Sequence, residues 1–206
     1  RPASVKIIFV TGTGTGTGKT YVTAALGLAL KGKGVSVRVV KPIISGFDQD
    51  TLEETDTAIL IRSLSAGPTQ DAIEACSPWR FKEPLSPDMA ARREGRAIDF
   101  AALKDFCRDA MAGPEDVLLI EGIGGAMVPL DDSHTVLDWM AGLGAPALVV
   151  AGSYLGTLSH TLTTVTAMQG RGINIVVVVV DESDDSPVAI AETAKTLARF
   201  LLGLSI

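Results

Sequence analysis

One stretch limits the folds open to this chain more than any other. A largely apolar run, Val5–Val10, turns into FVTGTGTGTGKT over Phe9–Thr20, and a helix-compatible run, Tyr21–Leu30, follows at once. Strand, glycine-rich turn, Lys-Thr and helix together are what a phosphate-binding loop requires. Glycines let backbone N–H groups turn onto phosphate oxygens with no Cβ in the way. A helix starting near Gly18 adds its positive end. In that geometry Lys19 reaches the β- and γ-phosphates, and the Thr20 hydroxyl faces Mg²⁺. Gly14, Thr15, Gly16, Thr17, Gly18, Lys19, Thr20 and Tyr21 are then the nucleotide-binding residues. The spacing is unusual: the first glycine is Gly12, so five residues, Thr13–Thr17, precede Gly18-Lys19-Thr20, where the commoner pattern has four.

The rest of the chain alternates in a matching way. Val5–Thr11, Val35–Lys41, Val117–Glu121, Ala147–Ala151 and Ile173–Asp181 read as strands, nearly continuous in β-branched and apolar residues. Such runs suit strands buried on both faces of a parallel sheet. Lys19–Leu30, Glu53–Leu64, Asp99–Met111, Leu158–Gln169 and Val188–Leu202 carry helical periodicity, with Gly32, Gly34, Gly113, Gly170 and Gly172 at helix ends. The expected fold is α/β: a doubly wound, mainly parallel sheet with helices on both faces, of the P-loop NTPase type. It occupies residues 1–206 as a single domain. The stretch Ala66–Pro87, with four prolines, reads as a long irregular substrate-binding loop.

A net charge of −6 argues against a nucleic-acid surface, which usually shows a basic face. The longest apolar runs are too short to span a bilayer, and Arg1-Pro2-Ala3-Ser4 does not read as a signal peptide. Cys76 and Cys107 are two, far apart, without a CxxC spacing. That predicts two buried thiols in a cytoplasmic protein and no disulfide framework.

In sheets of this kind ligands collect at the carboxyl ends of the strands, which singles out a few polar residues. Lys41 ends the second strand and would face either the phosphates or an anionic substrate. Glu121 ends the third, where P-loop proteins hold Mg²⁺ by an acidic residue. Asp56 is an acid early in a helix. Ala151–His160 reads as a loop opening a helix, a second anion site through free N–H groups; His160 there fits a capping, packing or functional role alike.

Several ordered segments resemble dethiobiotin synthetases. They are the FVTGTxTxxGKT start with its five-residue spacing, KPIISG (Lys41–Gly46), EPLSP (Glu83–Pro87) with Glu94-Gly95-Arg96, IEGIGG (Ile120–Gly125), and Leu155-Gly156 with Ser159-His160. The resemblance runs from Phe9 to about Leu202. It implies an ATP-dependent cyclo-ligase of biotin biosynthesis that joins CO2 to 7,8-diaminononanoate, with Mg²⁺ and with ATP as co-substrate. It implies a carbamate that attacks the γ-phosphate, and a carbamic–phosphoric mixed anhydride that the second amine closes to a cyclic urea. On this resemblance Lys19, Lys41, Thr15 and Ser45 serve catalysis. Thr20, Asp56 and Glu121 hold the metal, and Asp181 lies near the base. Lys41 and Ser45 bind substrate, as do Gly156, Thr157, Leu158 and Ser159 of the neighbouring subunit in a homodimer. The chain departs from the family at Gly16, where some members are acidic, at Asp88 for His, at Ser159 for Asn, and at Asp181 for Asn. It also stops at Ile206, where many members continue through a segment that encloses the base.

Two other readings compete. A partitioning-type ATPase would carry a second lysine at position 14, which is Gly14, and a cobyrinate-type synthetase would show a glutaminase domain. A non-catalytic or regulatory nucleotide-binding module would bind the nucleotide without diamine-stimulated phosphate release.

Overall fold

The computed structural model describes residues 6–206. Val5, read as the start of the first strand, and Arg1–Ser4 lie outside the described residues. The strands are β1 (Lys6–Gly12), β2 (Val37–Val40), β3 (Ile43–Ser45), β4 (Trp79–Phe81), β5 (Val117–Glu121), β6 (Ala147–Ala151) and β7 (Ile175–Val180). The helices are α1 (Lys19–Gly32), α2 (Asp56–Ser63), α3 (Gln70–Cys76), α4 (Pro87–Arg93), α5 (Phe100–Met111), α6 (Val136–Leu143), α7 (Thr157–Gly170) and α8 (Ile190–Phe200). None of these helices is long and apolar enough to cross a membrane.

Five strands form one parallel sheet in the order β2-β5-β1-β6-β7. The period-two side-chain alternation of a strand explains why these runs are apolar throughout. In β5, Leu118 and Ile120 point into the large core beneath α5 to α8, while Val117 and Leu119 pack with Leu60 of α2 and Leu26 and Leu30 of α1. In β1, Phe9 joins the large core and meets Trp139 of α6 edge to face, with ring centroids 4.8 Å apart. Val10 turns to the opposite face, with Val22 of α1. Both faces are therefore covered, as the doubly wound expectation requires.

Topology sets where a ligand can sit. From β1 the chain crosses through α1 to the edge strand β2, returns to place β5 between them, and only then adds β6 and β7 on the other side of β1. The strand order reverses about β1, so the crevice opens at its carboxyl end, where the glycine loop begins.

Several local expectations are corrected. The stretch Ala66–Pro87 is not one irregular loop. Thr69 caps α3 by accepting from the Ala72 N–H, and β4 pairs with β3 in a two-stranded parallel sheet. Its prolines flank these elements and so do not break them. Three-residue strands are too short to show a period, which is why β3 and β4 escaped the pattern. The run Glu53–Leu64 is not a continuous helix either. A 3-10 turn, Leu52–Glu54, stops at the extended Thr55, whose side chain caps α2, and Asp56 becomes the first residue of that helix. The helix α6 was not expected, although Thr135 and Asp138 form a capping box and Gly144 closes it in a left-handed turn.

Candidate active site

The site grows from strand register. Val40 of β2 lies beside Ile120 of β5, and Glu121 lies beside Val10 of β1. The next residue after Val40, Lys41, is thus delivered to the side of Glu121 at the carboxyl edge of the sheet. Lys41 Nζ stands 2.6 Å from Glu121 Oε1 and 3.2 Å from Asp56 Oδ2. Thr20 Oγ1, on the first turn of α1, donates to the same Glu121 oxygen at 2.7 Å. Lys41 and Glu121 are both buried; Asp56 is partly open.

The glycine loop closes the other side. Gly16 and Gly18 adopt positive φ of 71° and 84°, which lets the chain curl into α1. Close contacts explain other glycines. A Cβ on Gly12 would lie 2.6 Å from Thr17 Oγ1, and one on Gly125 would lie 3.3 Å from the Thr13–Gly14 backbone. Lys19 arches back over the loop, and its Nζ donates to the Gly14 carbonyl at 2.7 Å. Between the loop and Lys41 opens a cavity of about 660 Å³. Thr15 to Tyr21, Lys41, Ser45 and Asp56 line it.

Burial pulls Lys19 down to about 8, helped by the Lys41 charge and opposed by Glu121 and Asp56. Burial also works to lower Lys41, but the charges and hydrogen bonds of Glu121 and Asp56 outweigh it and hold this ammonium above its ordinary value. The two lysines thus differ: the partners of Lys41 hold it as a cation, while burial brings the loss of the Lys19 proton down to a pH of about 8. Glu121 keeps one buried oxygen, Oε2, without any hydrogen-bond partner. An orphaned carboxylate oxygen beside a threonine hydroxyl is a hard-oxygen donor set that suits Mg²⁺. Among the described residues no three His, Cys, Asp or Glu side chains gather as a complete metal cage. A cation here would therefore draw its remaining ligands from phosphate and water, as Mg²⁺ commonly does.

The family model described as AAA domain matches residues 6–201. An ATP-dependent dethiobiotin synthetase BioD of Acidiphilium cryptum is 45% identical over 168 residues, which are 81% of this chain and 75% of the relative. One of a Caulobacter species is 44% identical over 200 residues, 95% of this chain and 84% of the relative. The chain belongs to the ATP-dependent dethiobiotin synthetase family. Among solved structures, the cell division protein FtsY of Thermotoga maritima matches with a TM-score of 0.52 at 19% identity, over 100% of this chain and 61% of that one. That likeness speaks for the α/β fold alone.

The residues that the synthetase resemblance singles out fall into three groups. Thr15, Lys19, Thr20, Lys41, Ser45 and Asp56 line one cleft, and Glu121 sits behind Thr20 and Lys41. Gly156, Thr157, Leu158 and Ser159 do not line that cleft in their own chain. They form the start of α7, where Thr157 is buried and donates to the Gly152 carbonyl at 2.6 Å. Asp181 follows β7, and its carboxylate presses on Gly18; any Cβ on Gly18 would collide with it. Burial, with the nearby Glu182 charge adding to it, raises the Asp181 carboxyl above its ordinary range, against the Glu182 backbone hydrogen bond. Several apolar wall residues were not singled out from the sequence as site residues: Ile44, Ile123 and Val128, together with the Pro84–Pro87 turn. The EPLSP run was the available signal for that turn.

Proposed function

We propose that this chain is a dethiobiotin synthetase that uses ATP as co-substrate to join CO2 to 7,8-diaminononanoate and close the cyclic urea. The observation that carries this reading is the buried Lys41, held between Glu121 and Asp56 at the lip of the glycine-loop cleft. A cation fixed there suits a site where a carbamate must meet a γ-phosphate.

In this reading the 660 Å³ cleft holds the triphosphate and the reacting end of the diamine. The loop N–H groups of Gly14–Gly18 and the start of α1 bind phosphate oxygens, and Tyr21 flanks them. Lys19 leaves the Gly14 carbonyl to pair with the β- and γ-phosphates. Lys41 orients the carbamate against the γ-phosphate, with Thr15 and Ser45 as polar contacts. The carbamate oxygen attacks the γ-phosphorus and displaces ADP, which makes a carbamic–phosphoric mixed anhydride; the second amine then attacks its carbonyl carbon, gives up a proton and expels phosphate. Thr20, Glu121 and Asp56 would hold Mg²⁺, which would neutralise the charge spreading over the phosphate oxygens. Asp181 is the base-side residue.

The substrate carboxylate goes to the α7 start of a partner subunit, through Gly156, Thr157, Leu158 and Ser159. Leu155, 86% exposed beside them, supports a homodimer contact on that edge. The reading takes residues 1–206 as one P-loop domain of a cytoplasmic enzyme. The deciding experiment measures phosphate release and dethiobiotin formation with and without the diamine. Release that depends on diamine and bicarbonate supports the synthetase. Nucleotide binding with no diamine-stimulated release would favour a non-catalytic module.

A further inference from the structure

Two loops meet beside the mouth of the glycine loop. One follows β6 and runs from Gly152 into α7; the other follows β7 and begins at Asp181. A reciprocal serine pair joins them. The Ser153 N–H donates to Ser183 Oγ at 2.9 Å, and the Ser183 N–H donates to Ser153 Oγ at 2.8 Å. Ser186 Oγ adds a bond to the Ser153 carbonyl at 3.2 Å. Ser153 is only 1% exposed, so its N–H has no water to fall back on. Gly152 belongs to the same device. A Cβ there would lie 2.7 Å from Ser183 Oγ and 2.8 Å from the Tyr154 ring, so a side chain at 152 would expel the hydroxyl.

The joined loops have a definite position. Residues 182–185, with Thr15, Gly16 and Tyr154, line a second, open hollow of about 440 Å³ that shares the tip of the glycine loop with the main cleft. One residue earlier, Asp181 packs on Gly18 at the start of α1. Its own N–H is tied to the Ala151 carbonyl at 2.8 Å. Beyond Asp181 the serine clasp is what holds the loop against the neighbouring strand end.

We infer that Ser153 and Ser183 are positioning residues that lock the loop after β7 as the base-side wall of the nucleotide seat. This rests on the nucleotide reading of the glycine loop and on Asp181 as the base-side residue, both given above, and not on the diamine chemistry. The loop is acidic, with Glu182, Asp184 and Asp185. An acidic loop free to swing near the triphosphate opposes binding, and ordering it at the moment of binding costs affinity. The clasp holds it in place beforehand. Losing one hydrogen bond also leaves a backbone N–H without its partner, an effect worth about a fivefold to tenfold change in an equilibrium.

The test uses the full chain and titration calorimetry with Mg·ATP, together with KM for ATP and kcat. Ser183→Ala and Ser153→Ala are expected to bind ATP about fivefold to tenfold more weakly, with kcat at saturating ATP within about twofold of the parent. Ser183→Thr, which keeps an acceptor oxygen, is expected to restore the affinity. Gly152→Ala is expected to reproduce the loss with both hydroxyls still present. Because Ser183 is partly exposed, its alanine variant folds and decides the matter if Ser153→Ala does not. Unchanged ATP affinity in Ser183→Ala overturns the inference, as does a loss of thermal stability or kcat with ATP affinity unmoved. A parent protein that binds ATP but forms no dethiobiotin sinks the synthetase reading and leaves this test intact. A parent that binds no ATP sinks both.

Discussion

Replacing Lys41 by methionine keeps the stem and removes the charge. Lys41 is 3% exposed and Glu121 is 0% exposed, so the pair is an interior one. Without the ammonium, Glu121 retains only the Thr20 hydroxyl on Oε1, while Oε2 has no partner at all. Removing one member of a buried ion pair costs about 3–5 kcal/mol, because the other charge stays behind uncompensated. The Asp56 half, with its side chain 44% exposed, adds less than about 1 kcal/mol. For a chain of this size each kcal/mol moves Tm by about 2–4 °C, so the expected loss is roughly 6–24 °C. Turnover is expected to fall about 10²–10³-fold, the usual result of removing one charge-stabilising group. The double variant Lys41→Met with Glu121→Gln separates the two effects. It no longer buries an unpaired charge, so most of the stability returns while turnover stays low. Thermal unfolding and diamine-dependent phosphate release measure the two quantities. A single variant within about 2 °C of the parent and still turning over would refute the reasoning, and so would a double variant no more stable than the single.

Lys19, depressed to about 8 by burial and then by Lys41, leaves the native state with fewer bound protons than the unfolded state between pH about 8 and about 10.5. Stability from this group therefore rises with pH across that window, and Lys19→Met is expected to flatten the rise in denaturant titrations. Phosphate needs the protonated lysine, so ATP affinity is expected to weaken above pH about 8; calorimetry from pH 7 to 9.5 reads it, and a constant affinity would remove Lys19 from the phosphate contacts. If Asp181 stands at the base, as proposed, its ionised carboxylate accepts but cannot donate, so it would meet adenine N6–H₂ while opposing N7. Weak discrimination among ATP, CTP and GTP is expected in competition at fixed Mg²⁺, and a preference for ATP above roughly 100-fold, about 2.7 kcal/mol, would mean other groups read the base. In sedimentation the chain is expected to be a dimer at micromolar concentration; a monomer that turns over the diamine would remove the shared-site reading.

How much was legible in the sequence follows from what a local pattern encodes. Five apolar runs gave the five strands of the main sheet, because strands buried on both faces need no alternation and show as unbroken Val, Ile and Leu. The glycine loop was legible because its glycines, lysine and threonine are adjacent in sequence and their spacing is the geometry. Lys41 and Glu121 were legible as candidates because parallel sheets put ligands at carboxyl strand ends. Short elements were not: β3, β4 and α3 are too brief to show a period, and prolines around them resembled a loop.

By itself, then, the sequence determined the α/β class, the phosphate loop and the strand ends at which polar groups stand. Each of these follows from neighbours within about a dozen residues. Only the tertiary structure decided that Lys41 pairs with Glu121, eighty residues away, because the register of β2 on β5 fixes that contact. It alone brought Asp56 within reach of the same ammonium and set Asp181 against Gly18. Backbone periodicity is written locally, residue by residue. Pairing between distant strands is chosen by the packing of the whole sheet, and no local pattern in one strand records which partner its end will face.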